Sequence, residues 1–195
     1  MQHLQPARAT SAASEPWTFV SSRWGLSDGE CAGVTGKPVI YSGQGFSPKG
    51  DKDRFVLPAG FRKAVTESSE GKGLLLVSKH DKWDCLIGYG LSRRDGFEAQ
   101  LDREEEMAAR TGQIFDRDMR SFQLYDCAEI GFDGSGRFII PAHLRALGGL
   151  TDSIYLQGAG AFFTLWSPEV LARQQGPQWA SAQAACASLI EGARK

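Results

Sequence analysis

Asp53-Arg-Phe-Val-Leu-Pro-Ala-Gly-Phe-Arg62 and Gly136-Arg-Phe-Ile-Ile-Pro-Ala-His-Leu-Arg145 are two copies of one stretch. Arg54 and Arg137, Pro58 and Pro141, and Arg62 and Arg145 each stand 83 positions apart, so the chain is internally duplicated. Each copy reads as a polar turn, a short strand of aromatic and β-branched residues (55–57 and 138–140), and a helix opened by proline. Proline at the first helical position loses nothing, because that N–H has no partner inside the helix. Gly148 and Gly149 stop the second helix.

Working outward, strand-like runs at 74–78 and 84–89 follow the first copy, and runs at 153–157 and 162–166 follow the second. One more strand precedes each motif, at 39–46 and 127–132, so the unit is β-β-α-β-β, twice. Tyr89 matches Trp166 at an offset of 77, so the first copy carries six extra residues. The sequence predicts them as a surface-loop insertion at 66–71, Thr-Glu-Ser-Ser-Glu-Gly. Between the units, 93–110 reads as a helix with Phe97, Leu101, Glu104, Glu105 and Ala108 at helical spacing, and it is acidic. A second helix is expected over 115–124. At the C-terminal end, residues 177–191 place Trp179, Ala182, Cys186, Leu189 and Ile190 on one stripe. The plain use of that stripe is packing on its own chain or on a neighbouring subunit.

Residues 1–38 differ in texture: Ala7 to Ser14 are small, and Pro6, Pro16, Gly25, Gly29, Gly33, Gly36 and Pro38 break every periodicity. They read as a disordered N-terminal extension, although Trp17, Phe19 and Trp24 are unusual in a free tail. A start at Val34, were its codon GTG, would give a protein opening Met-Thr-Gly-Lys-Pro-Val-Ile-Tyr. The expected organisation is therefore the extension at 1–38, a first unit with its connecting helix at 39–112, a second unit at 113–175 and a C-terminal helix at 176–195.

With 195 residues the chain is long enough to bury a core, and 22 Lys and Arg against 23 Asp and Glu leave a formal charge of −1. Any binding of nucleic acid must then come from a local patch. The four cysteines (Cys31, Cys85, Cys127, Cys186) form no C-x-x-C pair, which argues against a disulfide framework or a zinc site and fits a reducing cytosol. No apolar run approaches the length of a membrane span or of a secretory signal. A soluble intracellular protein is expected.

Catalytic chemistry finds little footing. His80-Asp81 are adjacent, but Ser78 and Cys85 lack a nucleophile context, and the segment Ser78-Lys-His-Asp-Lys82 reads as a polar strand-to-strand turn. His143 reads as a surface or cap residue, Gly158-Ala-Gly160 as a turn, and no phosphate-binding glycine pattern is present. The hairpin turns are more promising. Asp133-Gly-Ser-Gly-Arg137 joins two strands, and the first copy reads Gly50-Asp-Lys-Asp-Arg54 after Lys49. Residues 47–63 hold five cations against two carboxylates, and 133–147 hold two against one. Cations on exposed turns suit phosphate, and Arg can fork onto guanine O6 and N7. The plainer use of Arg54 and Arg137 is pairing with Asp53 and Asp133 to brace the hairpins.

The runs Gly50-Asp-Lys-Asp-Arg-Phe-Val-Leu-Pro58, with Tyr41-Ser-Gly43 upstream, and Asp133-Gly-Ser-Gly-Arg-Phe-Ile-Ile-Pro141 resemble the two D-x-x-x-R motifs of the MraZ family. Leu165-Trp166 and Cys85-Leu-Ile-Gly-Tyr89 match the family's layout, and the likeness spans residues 39–175. Two positions depart from it: Gly50 stands for the first Asp, and Asp53 for the Gly before Arg. The resemblance implies an α+β, β-rich fold of two AbrB-like swapped-hairpin units in a pseudo-symmetric barrel, assembled into a homo-oligomeric ring. It implies a transcriptional regulator of the bacterial division and cell wall gene cluster that binds tandem direct repeats in its promoter. Lys49, Lys52, Arg54, Ser135 and Arg137 would contact double-stranded DNA, while Asp133, Gly134 and Gly136 organise the turn. No catalytic residue, metal, cofactor, small-molecule substrate or membrane partner is expected, and the protein would be cytoplasmic and nucleoid-associated. The rival reading is an antitoxin-like AbrB-fold module that binds protein and not specific DNA.

Overall fold

Residues 39–193, which a computed structural model of the protein describes, form an α+β unit built on a six-stranded antiparallel sheet. The expectation of a disordered tail at 1–38 lies outside the described residues. The first half runs β1 (Gln44–Pro48), β2 (Phe55–Val56), α1 (Ala59–Ser68), β3 (Leu74–Lys79) and β4 (Leu86–Tyr89). The second runs β5 (Ala128–Gly131), β6 (Arg137–Phe138), α4 (Ala142–Leu147), β7 (Ser153–Gly158) and β8 (Phe163–Trp166). Between them lie α2 (Phe97–Thr111) and α3 (Arg117–Tyr125); α5 (Pro168–Ala172) and α6 (Ala180–Ala193) follow.

The sheet order is β1-β7-β8-β4-β3-β5, and β2 pairs separately with β6. Each half therefore sends its first strand into the other half: β1 pairs with β7, and β5 with β3. The arrangement is pseudo-two-fold. Phe55 faces Phe138 in the small ribbon and Ile87 faces Thr164 at the sheet's centre, and each residue is its partner's counterpart in the repeat. Phe55 and Phe138 are buried with their rings 6.3 Å apart, each contributing roughly 1.5–3 kcal/mol by leaving water. Leu57, Phe61, Val65, Ile140, Leu144 and Phe163 continue the same core.

The register relocates the extra residues of the first copy. Leu76 pairs with Tyr89 and Tyr155 with Trp166, so the third strands are offset by 79 and the fourth by 77. Of the six insertions, four fall between the second and third strands. They lengthen α1 to ten residues against six in α4, so Thr66 to Ser68 are helical and not loop. The other two lie in the β3–β4 connection. Sequence alignment alone has no means of dividing a length difference that hydrogen-bonded registers divide at once.

Other boundaries also shift. Pro58 and Pro141 sit one residue before their helices, with extended ψ of 148° and 145°, and each carbonyl accepts the first helical N–H, from Arg62 and Arg145. The strand expected at 39–46 pairs only from Gln44, because Gly43 at φ +85° interrupts the extended backbone; Tyr41 makes an isolated bridge to Gly160. The helix expected from 93 begins at Phe97, after a 3₁₀ turn over Leu91–Gly96. α3 is opened by Asp116, whose carboxylate accepts the Met119 N–H at 2.9 Å. Its Arg117 pairs with Glu98, Asp102 and Glu105, and its Arg120 with Glu104, so the acidic helix is answered by its neighbour.

The C-terminal stripe packs on its own chain. Ala182 and Cys186 are buried against Cys85, Tyr155, Trp166 and Leu171, and Trp179 meets the Trp166 ring edge-on at 5.3 Å. Burial pushes the Cys85 thiol up to about 12, so it stays protonated. No described helix is long and apolar enough to cross a membrane.

Candidate nucleic-acid interface

The second turn is closed by the Asp133 N–H donating to the Arg137 carbonyl at 3.1 Å and the Gly136 N–H donating to the Asp133 carbonyl at 2.8 Å, and it is organised by one carboxylate. Asp133 Oδ1 accepts the N–H groups of Ser135 (2.9 Å) and Arg137 (3.0 Å), and Oδ2 accepts Arg137 Nε at 2.7 Å. The Arg137 N–H, and then its guanidinium, hold this carboxyl below its ordinary range. The brace read from the sequence is thus present, yet it uses only Nε, and among the described residues both terminal nitrogens of Arg137 lack a hydrogen-bond partner. Gly136 adopts φ +83°. Its carbonyl accepts the Leu57 N–H at 2.7 Å, and a Cβ there would meet the Leu57 carbonyl oxygen at 2.7 Å. Both conformation and space require glycine.

The first turn keeps the same closure, Gly50 N–H to the Arg54 carbonyl at 2.8 Å, with different chemistry inside. Asp53 takes the place of Gly136 and adopts φ +57°, beside Lys52 at φ +59°. Aspartate tolerates that region; lysine does so at a cost of roughly 1–2 kcal/mol. With glycine at 50 there is no carboxylate to brace Arg54, and Asp53 does not replace it: it pairs instead with Arg145 Nη1 at 3.4 Å. Lys49 is committed to Asp152 at 2.9 Å. Among the described residues the Arg54 guanidinium and the Lys52 ammonium make no ion pair or side-chain hydrogen bond.

The two turns are brought together by the β2–β6 ribbon. Val56 stands opposite Arg137, and continuing the register places Arg54 across from Ile139. Phe55, Leu57, Phe138 and Ile140 point inward, so Arg54, Val56, Arg137 and Ile139 share the outer face. Arg54, Arg137 and Ile139 line one open groove of about 490 Å³ with Asp133. Of the expected residues, Lys52 and Arg54 lie on the first turn, Gly134, Ser135 and Arg137 on the second, and Lys49 at the base of the first.

Sequence reasoning passed over two braces. Arg62 on α1 donates to the Gly134 carbonyl of the other half's turn at 3.0 Å, and its repeat counterpart Arg145 on α4 reaches Asp53 in the first turn. Their 83-residue repetition was the available signal; the partners were invisible because they lie across the pseudo-two-fold. His80 is the organiser of the β3–β4 turn, its Nδ1 accepting the N–H groups of Lys82 (3.0 Å) and Trp83 (3.2 Å). His143 is exposed, as expected.

Fold and site together define a duplicated α+β protein that presents two basic turns on one ribbon. No family model matches the chain. Curated regulators do: Transcriptional regulator MraZ of Parvibaculum lavamentivorans is 33% identical over 118 residues, covering 60% of this chain and 69% of its own. Those of Bordetella pertussis (31% over 124 residues; 64% and 80%) and Caulobacter vibrioides (31% over 138 residues; 71% and 83%) are similarly related. The chain belongs to the MraZ family of transcriptional regulators.

Proposed function

We propose that the protein is a sequence-specific DNA-binding transcriptional regulator that inserts the β2–β6 ribbon and its two turns into the major groove. The carrying observation is the placement of Arg54 and Arg137 on one exposed face of a two-stranded ribbon with guanidinium nitrogens not consumed by the fold. A groove about 12 Å wide admits such a ribbon, and Arg forks onto guanine there. Lys52 and the Ser135 hydroxyl serve the flanking phosphates, and Lys49 supports the first turn through Asp152.

In this reading residues 39–112 and 113–175 are two AbrB-like swapped-hairpin units of a pseudo-symmetric barrel, supported by the reciprocal pairing of β1 with β7 and β5 with β3. Among the described residues β1 and β5 are the two end strands of the sheet, with α6 packed beside β1, and unpaired end strands suit a closed homo-oligomeric ring. Several subunits on tandem direct repeats would give avidity to a chain of near-zero net charge. The target is the division and cell wall gene cluster, which places the protein in the cytoplasm at the nucleoid. It requires no cofactor, metal or catalytic residue.

The test is a gel shift on DNA upstream of the chain's own gene, with wild type and Arg54→Ala/Arg137→Ala at two salt concentrations. Retarded bands lost in the variant support the reading; unchanged binding by a folded variant defeats it. The Asp133–Arg137 pair favours a second reading, a protein-binding module in which the arginines only brace. That reading expects no specific shift at all.

A further inference from the structure

We propose that Val56 and Ile139 are specificity-determining residues that read thymine methyl groups, an inference resting on the DNA-binding reading above. Both are exposed, at 44% and 48%, although every inward position of their strands is filled by Phe55, Leu57, Phe138 and Ile140. The core therefore asks nothing apolar of the outer face. The duplication nevertheless places a β-branched aliphatic at both outer positions, 83 apart, each directly across the ribbon from an arginine. Two arginines alternating with two aliphatics on a two-stranded ribbon match the chemistry of a major-groove floor. There the guanine edge offers paired acceptors, thymine alone offers a methyl, and the phosphates on either side demand cations. Each aliphatic faces an arginine across the ribbon, and the two carboxylates of the adjoining groove are already paired, Glu129 with Arg94 at 2.8 Å and Asp133 with Arg137 at 2.7 Å, which suits an anionic polymer better than an apolar partner surface.

The experiment compares the DNA upstream of the chain's own gene prepared with dTTP and with dUTP. Deoxyuridine keeps every base-pairing group and phosphate and lacks only the methyl. Wild type should bind the uracil fragment about fourfold more weakly for each methyl it buries. Val56→Ala/Ile139→Ala should bind both fragments alike, near the wild-type affinity for uracil DNA; its indifference controls for any change of DNA shape on losing the methyl. Equal binding of both fragments by wild type, or a double variant that keeps the thymine preference, overturns the inference while leaving DNA binding intact. Absence of any complex between wild type and either fragment overturns the parent reading as well. Melting and light-scattering mass of the double variant should match wild type; a fall in mass would assign the two residues to a subunit contact and overturn the inference.

Discussion

Arg62 Nη1 donates to the Gly134 carbonyl 3.0 Å away, joining a helix of the first half to the turn of the second across 72 positions of sequence. Its counterpart Arg145 does the same for the first turn through Asp53. Arg62 lies behind the turn, beside Gly136, and not on the ribbon's outer face, so under the proposed DNA-binding function its part would be to hold Gly134 in place. Arg62→Ala should weaken promoter binding severalfold while the slope of affinity against salt stays at its wild-type value, because no phosphate contact is lost. Lys, which can still donate one hydrogen bond, should restore part of the loss. A reduced salt slope would show instead that Arg62 touches phosphate.

The two turns should respond oppositely to changes of backbone freedom. Gly136→Ala places a Cβ against the Leu57 carbonyl at φ +83°, and should cost about 1–3 kcal/mol of stability. Lys52→Gly relieves a left-handed lysine and should gain roughly 1 kcal/mol, while promoter affinity falls because a cation is gone. Chemical denaturation measures the first quantity and gel shift the second. A Lys52→Gly protein that is less stable than wild type would contradict the strain.

The β3–β4 turn should soften in mild acid. His80 stacks on Trp83 with ring centroids 4.3 Å apart, and its Nδ1 accepts two backbone N–H groups. Burial, aided by Lys79 and Lys82 and opposed by Asp81, holds its pKa below the ordinary 6.5. The unfolded chain therefore takes the proton first. The stabilisation is complete above 6.5 and is lost as pH falls through the lowered folded value. Melting temperatures between pH 7.5 and 5 should fall more steeply for wild type than for His80→Asn, whose amide oxygen can accept the same N–H groups without titrating. Parallel profiles would remove His80 from the account.

The duplication, the basic turns and the short strands at 55–57 and 138–140 were all legible, because each is local and repeats; which of their side chains face outward came from the structure. Partners were not. Which strand β1 joins, and that Arg62 reaches Gly134, depend on pairings between halves that no periodicity within either half encodes. Asp116 was readable as a helix cap and was passed over because the expected helix began two positions too early. The insertion was mislocated for a related reason: residues 66–68 look polar and loop-like, but on α1 their polar side chains simply extend the helix beyond the length of its counterpart.

The remaining prediction concerns the asymmetry between the motifs. Arg137 is held by Asp133 Oδ2 at 2.7 Å, whereas Arg54 has no such partner because Gly50 stands where Asp133 stands. An arginine fixed before binding loses little further freedom on DNA; an unbraced one surrenders on the order of 1–2 kcal/mol of side-chain entropy. Arg137→Ala should thus cost more affinity than Arg54→Ala, within about 1–3 kcal/mol for each lost base contact. The brace holds at neutral pH and is lost only as pH falls through the lowered Asp133 value. Supplying the missing carboxylate should narrow the gap. Gly50 has φ −93°, open to any residue, and a Cβ there would sit 3.6 Å from the Arg54 carbonyl oxygen, an ordinary contact. Gly50→Asp should therefore fold, pair with Arg54 and raise promoter affinity, with Arg54→Ala then costing as much as Arg137→Ala. If Gly50→Asp weakens binding in the presence of Arg54 and has no effect in Arg54→Ala, the carboxylate neutralises Arg54 instead of aiming it, and preorganisation is not what separates the two turns.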